Sequence, residues 1–380
     1  MASNDRSSRV LGLDVMRTVA VGLVVVGHIL QHGHPPDWLG HVGRLGIMGV
    51  DIFFVLSGFL IGGIVLSLVR KNRFSTWADL RKFWVRRWMR TLPLYYLFFF
   101  IYLRYDWTGP SRLQDRLQFL VFMQNFAWPA PDFYLLSWSL TIEEFFYLLF
   151  PLLLFFLLRR SGQARSSTQA ALLVFLVVPL LIKFCRAPYA DWDGFNYNLR
   201  MVTITRLDSL MYGVGAVFIK HTYPEVWSAL RRATRWSWIL LALMATYLYV
   251  NLPYLAGSRL IQTFVFPLMS FSIALMLPVL DDWKGTRGSL WRERIVTYVS
   301  TISYSIYLGH ILVLTLLDDY FQAAPGAFDH LYTKPVLLYP IDVLLIGLFT
   351  PLTYHFWERP FMMLRDGEIR LPWRRVERAH

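Results

Sequence analysis

Arg17 and His28 lie inside the first apolar run of the chain, with ten residues between them. Eleven steps of 100° make about three turns plus 20°, so both side chains share one face of a helix, about 16 Å apart along its axis. A segment that only crosses a bilayer has no use for either. Each charge near the bilayer centre costs about 2.5–3.5 kcal/mol on insertion scales, and such residues generally line a cavity or a site. Histidine suits general-base work because its pKa lies near the working pH. A neighbouring carboxylate would fix its tautomer and stabilise the imidazolium that forms.

Further ionisable groups interrupt later apolar runs: Asp51, Glu143 with Glu144, and Arg206 with Asp208. Adjacent helical positions point 100° apart, so only one of Glu143 and Glu144 readily faces a given site. A basic cluster precedes the third apolar run, with Arg86 and Arg90 at i, i+4 and Arg87 beside them. Guanidinium groups suit phosphates through charge-assisted, often bidentate bonds. Each feature also has a structural reading. His28 and His310 would be hydrogen-bonded core histidines, Arg17 would snorkel or pair with Asp14, and Arg206–Asp208 would be an ion pair. The arginine cluster would only set topology, and the GxxxG at Gly58–Gly62 would serve close helix packing.

These residues need a scaffold, and composition defines it. Of 380 residues, 56% are hydrophobic and only 17% are charged, against about 25% charged in a soluble domain. Apolar runs near 20 residues recur from end to end, which predicts an all-α integral membrane protein. The 15 Trp and 20 Tyr suit interfacial belts. Cys185 is the one cysteine, so an intrachain disulfide or cysteine-based metal site is excluded and no metal is expected. The net charge of +13 would fit nucleic acid in a soluble chain. In a membrane protein it reads as cytoplasmic loop charge, so no nucleic-acid partner is expected. The first run lacks an A-x-A site and is read as an uncleaved span.

The expected spans are 10–30, 47–69, 91–107, 136–158, 170–187, 203–219, 236–253, 259–280, 297–317 and 336–357. With both termini cytoplasmic, 27 of the 38 Lys and Arg residues fall on the inner side, as positive-inside orientation requires. If 117–128 also crossed, Arg159 and Arg160 would face outward, so 112–131 is expected to be peripheral or re-entrant. The stretch 70–90 is predicted to be an amphipathic cytoplasmic helix leading into the third span. The chain divides into a transmembrane domain over 1–360 and a short basic tail over 361–380. In this topology Arg17 lies deep on the cytoplasmic side, while His28, Asp51, Glu143 and Arg206–Asp208 approach the outer side.

Together these blocks resemble the membrane-bound acyltransferase family 3, bacterial integral-membrane O-acyltransferases of surface polysaccharides. Arg17 and His28 match its Arg/Lys–ten residues–His signature. The run Gly49–Ile61, the segment Arg86–Tyr95 and the block Ser137–Tyr147 match in order. So do Arg206-Leu207-Asp208 with Gly213, the block Ile302–His310, and Glu358-Arg359-Pro360-Phe361. Many relatives carry Trp-His where this chain has Gly309-His310. The resemblance implies ten spans, an acyl-CoA donor drawn from the cytoplasm and an acceptor hydroxyl at or beyond the outer face. Longer members carry a C-terminal extracytoplasmic domain. About 20 residues follow the last span here, so a single module acting directly on its acceptor is expected.

The expected reaction is acetyl transfer from acetyl-CoA to a polysaccharide or glycolipid hydroxyl in the bacterial inner membrane, among membrane lipids. Arg86, Arg87 and Arg90 would hold the donor phosphates, and the pantetheine arm would pass Arg17. His28 would be the base, or would carry the acyl group in a relay. Glu143, or less readily Glu144, would support the imidazolium or bind the acceptor. Arg17 would position the thioester or stabilise developing charge. Asp51, Arg206 and Asp208 would shape the acceptor side. Two competitors are an acyltransferase of small molecules such as macrolides, and a proton-coupled transporter with His28, Glu143 and Asp51 as a relay.

Overall fold

A computed structural model describes residues 9–33, 35–105, 113–251, 257–285, 291–323 and 334–367. Arg112 and the part of the basic tail from 368 to 380 lie outside the described residues. Every regular element among the described residues is helical: α1 Leu11–Ile29, α2 Asp37–Gly43, α3 Ile47–Arg70, α4 Trp77–Tyr105, α5 Leu113–Leu120, α6 Ser137–Ser161, α7 Ala164–Arg186, α8 Trp192–Phe195, α9 Leu207–Thr222, α10 Pro224–Asn251, α11 Arg259–Ala274, α12 Leu277–Asp282, α13 Trp291–Gln322, α14 Pro335–Thr353 and α15 Arg359–Asp366.

Among the described residues seven segments are long and apolar enough to cross a membrane: Leu11–Ile29, Asp37–Arg70, Ser137–Ser161, Ala164–Arg186, Arg259–Asp282, Trp291–Gln322 and Pro335–Asp366. The remaining expected spans coincide with α4, α9 and α10. Helix α9 has 16 residues, about 24 Å, which is short of a hydrocarbon core about 30 Å thick. Helices α4 and α10 carry arginines in their first halves. The amphipathic helix expected over 70–90 begins at Trp77 and runs unbroken into the third expected span, with Pro93 inside. Arg87 and Arg90 turn inward onto a cavity, so the chain need not leave the helix to keep them polar-solvated.

Helix α3 is the central post, packed between α1 and α9. Gly58 and Gly213 make this approach possible. A Cβ on Gly58 would meet the Leu210 carbonyl oxygen at 1.8 Å, and one on Gly213 would meet that of Val55 at 2.0 Å. The GxxxG pair of the sequence is therefore a packing device, with Gly62 facing Val214 and Val217. The segment after α5 threads back into the bundle. Asn125 donates to the carbonyls of Trp138 (3.0 Å) and Met201 (2.6 Å), and its own carbonyl accepts from Thr203 N–H. Helix α5 has eight residues, too short to cross, and Tyr95 and Tyr96 donate to the carbonyls of Phe119 and Leu120 at its end.

Three polar clamps fix the helices around α1 and α3. At the start of α1, Arg9 and Ser300 occupy the Asp14 carboxylate, so Asp14 is not the partner of Arg17. In the interior, Arg206 donates to Asp51 and Lys183 to Asp208 (2.6 Å), all four side chains being buried. At the far end of α1, His32 donates from Nδ1 to Asp342 on α14 (2.9 Å) and from Nε2 to Asp318 on α13 (2.8 Å). Two carboxylate partners require both ring nitrogens to carry hydrogen, which makes His32 an imidazolium. Burial alone would lower its pKa, but the bonds to Asp318 and Asp342 outweigh this and raise it to about 9.

Two outcomes follow from these clamps. Asp51→Ala strands a buried guanidinium and should cost about 3–5 kcal/mol, whereas Asp51→Leu with Arg206→Met should cost far less. Thermal unfolding in detergent measures both, and a single variant as stable as wild type refutes the structural role. The His32 stabilisation is fully present below the unfolded imidazole pKa of about 6.5 and disappears as pH rises through about 9. The melting temperature of wild type should therefore fall between pH 7 and 10 more than that of His32→Gln.

Candidate functional site

Helices α1, α3, α4, α6 and α13 enclose a cavity of about 320 Å³, within the range of small-ligand sites. Arg17, Arg87 and Arg90 stand on its wall, with Glu143 and Tyr147 of α6, Ser57 of α3, and Tyr304 and Tyr307 of α13. Three guanidinium groups thus share one space, and the Glu143 carboxylate is already engaged. Ser57 donates to Glu143 Oε1 (2.8 Å) and Tyr147 to Oε2 (2.9 Å). Arg87 donates to the Tyr147 hydroxyl (2.7 Å) and lies over its ring at 4.2 Å, 3.7 Å from Glu143. The wall is therefore rigid and net positive, a setting for an anionic ligand.

The α4 helix divides its arginines as its period dictates. Arg86 is 58% exposed and meets Asp366 of α15 at 3.3 Å, away from the cavity. The two glutamates divide likewise: Glu143 faces the cavity, while Glu144 accepts from Thr91 of α4 (2.8 Å).

One layer beyond Tyr307, whose ring lies 6.1 Å from that of His310, stands a pair of histidines. His28 Nδ1 lies 2.9 Å from the Val24 carbonyl and 3.2 Å from His310 Nε2. His310 Nδ1 lies 3.0 Å from the Ile306 carbonyl. A carbonyl can only accept, so each Nδ1 is assigned the hydrogen and each Nε2 the lone pair. His28 Nδ1–H is then shared between Val24 O and His310 Nε2. This leaves His28 Nε2 as a base whose conjugate acid is already supported on its other side. The sequence predicted a carboxylate beside His28. Among the described residues its hydrogen-bonding contacts are instead with a backbone carbonyl and a second imidazole, and Glu143 does not touch it.

Asp51, Arg206 and Asp208, expected near the acceptor side, form the interior ion pairs already described. Among the described residues Asp51 Oδ2, Asp208 Oδ1, and Nε and Nη1 of Arg206 are buried without a hydrogen-bond partner.

Arg200 was counted in the sequence only as a loop charge. It is buried, donates to Asn196 Oδ1 (2.9 Å), and lies over the Trp138 ring at 4.7 Å. The π-helical turn Asn196–Arg200 delivers it; such turns recur at functional sites, but no spacing in the sequence ties this loop to His28. Ser57, Tyr147 and Tyr307 were legible only as members of blocks, because the bonds of Ser57 to Glu143, of Arg87 to Tyr147 and of Ser139 with Tyr307 join different helices.

The sequence pattern described as an acyltransferase domain, that of acyltransferase family 3, matches residues 10–355. YrhL of Bacillus subtilis, which carries the provisional name of a peptidoglycan O-acetyltransferase, is 27% identical over 378 residues, covering 92% of this chain and 54% of that protein. O-acetyltransferase OatA of Staphylococcus aureus is 25% identical over 369 residues, covering 92% of this chain and 56% of its own. The chain thus spans about half the length of these curated relatives. No solved structure matches. With that pattern running over nearly its whole length and its apolar helices arranged around the cavity, the chain belongs to acyltransferase family 3, as a multi-pass membrane protein.

Proposed function

We propose that this protein is an integral-membrane O-acyltransferase that moves an acetyl group from cytoplasmic acetyl-CoA to a hydroxyl of a surface or exported polysaccharide or glycolipid. In this reading α4, α9 and α10 also cross the bacterial plasma membrane, giving ten spans and two cytoplasmic termini. The observation that carries the proposal is one continuous arrangement. A net-positive cavity lies at the level of Arg17, Arg87 and Arg90, and a histidine with a free Nε2 lies one layer farther out.

The donor's diphosphate binds Arg17, Arg87 and Arg90, and its thioester reaches past Tyr307 toward His28. Arg86 stays at the cytoplasmic surface and adds to the positive field. Glu143 keeps Arg87 and Tyr147 in place, and Glu144 holds α4 against α6 through Thr91. At the outer end, His28 Nε2 takes the proton of the acceptor hydroxyl as its oxygen attacks the thioester carbonyl. The tetrahedral oxyanion forms near Arg200, a buried guanidinium bonded to the neutral Asn196 side chain, and such preorganised cations lower the barrier. Collapse breaks the carbon–sulfur bond, and the thiolate of CoA recovers the proton from the imidazolium. Asp51, Arg206 and Asp208 support the acceptor side. The names of YrhL and OatA favour O-acetylation, and that of YrhL favours a peptidoglycan-type acceptor.

The test is thiol release from acetyl-CoA by protein in lipid nanodiscs, with labelled donor binding recorded in parallel. His28→Ala should lose about 10²–10⁴-fold in rate, the usual contribution of a general base, while binding the donor normally. Unchanged transfer by a folded His28→Ala protein would sink the mechanism. His310→Gln should show an intermediate loss in kcat, on the order of tenfold, as for outer partners that orient an imidazole, with KM for acetyl-CoA unchanged.

A further inference from the structure

A second cavity of about 500 Å³ opens beside the first, between α3, α9 and α12. The two share Leu60 and Ile64 of α3 as a common wall. Along α3 the first cavity runs from Val50 to Ile64 and the second from Phe59 to Lys71, together about 31 Å of helix. The second cavity is apolar where it meets the first, at Phe59, Leu60, Gly63 and Ile64. It is basic at its far end, at Lys71, Arg73, Lys220 and His221.

Its charges are not spent alike. Lys220 is paired with Asp281, the one acid on the wall. His221 Nε2 meets Arg70 at 3.5 Å. Lys71 and Arg73 are exposed and have no acidic partner among the described residues. Lys71 lies seven residues beyond Ile64, about 10 Å farther toward the end of the helix. Lys71 and Arg73 line only the second cavity, and Arg17, Arg87 and Arg90 only the first. A ligand filling both spaces would have phosphate at two levels joined to a narrow, largely uncharged arm.

We infer that the second cavity is a nucleotide subsite continuous with the first, in which Lys71 and Arg73 bind the 3′-phosphate of the donor's phosphorylated adenosine. This rests on the proposed use of acetyl-CoA. The three arginines of the first cavity then take the diphosphate, and the nucleotide lies along α3 toward the aqueous edge. A single phosphate on an anionic lipid headgroup has the same chemistry, and the experiment separates the two sources.

The experiment compares wild type with a Lys71→Ala, Arg73→Ala protein in nanodiscs of neutral phosphatidylcholine. Both side chains are exposed and make no hydrogen bond among the described residues, and a melting curve checks the fold. Three donors are used: acetyl-CoA, 3′-dephospho-acetyl-CoA and S-acetylpantetheine. The variant should raise KM for acetyl-CoA by about tenfold or more, the scale of a lost charge-assisted bond, with kcat unchanged. KM for the two donors lacking the 3′-phosphate should be the same in both proteins. Adenosine 3′,5′-bisphosphate should compete with acetyl-CoA in wild type and weakly in the variant. Turnover of acetyl-CoA with equal KM in both proteins overturns this subsite and leaves the proposed function standing. A KM difference confined to nanodiscs containing phosphatidylglycerol assigns the groove to lipid headgroups and also overturns it. A wild type that neither binds nor consumes acetyl-CoA overturns the proposed function, and the subsite with it.

Discussion

Charge placed inside an apolar bundle must be paired or solvated, because desolvation costs several kcal/mol per ion. The structure answers this constraint in two ways. Arg206 with Asp51 and Lys183 with Asp208 are neutralised in pairs, and they tie α3, α7 and α9 into a fixed frame. Arg17, Arg87 and Arg90 converge on open space instead. Their charge is balanced only in part, through Glu143 and Tyr147. The fully paired set holds the scaffold, and the set balanced only in part by Glu143 defines a place for an anion. The difference between the two is the clearest division of labour in the molecule.

The histidine pair follows from helix geometry. Each ring turns back on its own helix and donates Nδ1–H to the carbonyl four residues earlier, Val24 for His28 and Ile306 for His310. Backbone thus sets both tautomers, and no carboxylate is needed to do so. The small residue at 309 matters here. Gly309 lies against Phe349 and Thr350 of α14, so α13 approaches α14 closely just where His310 meets His28.

Much of the scaffold was legible because its signals are local. Apolar run length separates α1, α3, α6, α7 and α13 from their connections, and GxxxG predicts close packing wherever it falls. The inward turn of Arg87 and Arg90 within α4 was not legible. A run of arginines reads as a water boundary until it is known that Arg87 and Arg90 face an interior cavity. The site was partly legible for the same reason. His28 and Arg17 stand out because charge within an apolar run is costly, whatever surrounds it. Arg200 does not stand out, because a loop arginine is ordinary until Trp138 and Phe266 are packed around it.

The sequence by itself determined that this chain is a bundle of apolar helices carrying a small set of ionisable residues. It also showed that Arg17 and His28 lie on one helical face. Hydropathy, helical period and the cost of buried charge are all read from neighbours along the chain. Only the tertiary structure decided who meets whom. His28 finds His310 from 282 residues away, Asp51 finds Arg206 from 155, and Ser57 finds Glu143 from 86. Such pairings depend on which helix faces abut, which local spacing does not encode. They also determine whether a costly charge becomes a strut or part of a site.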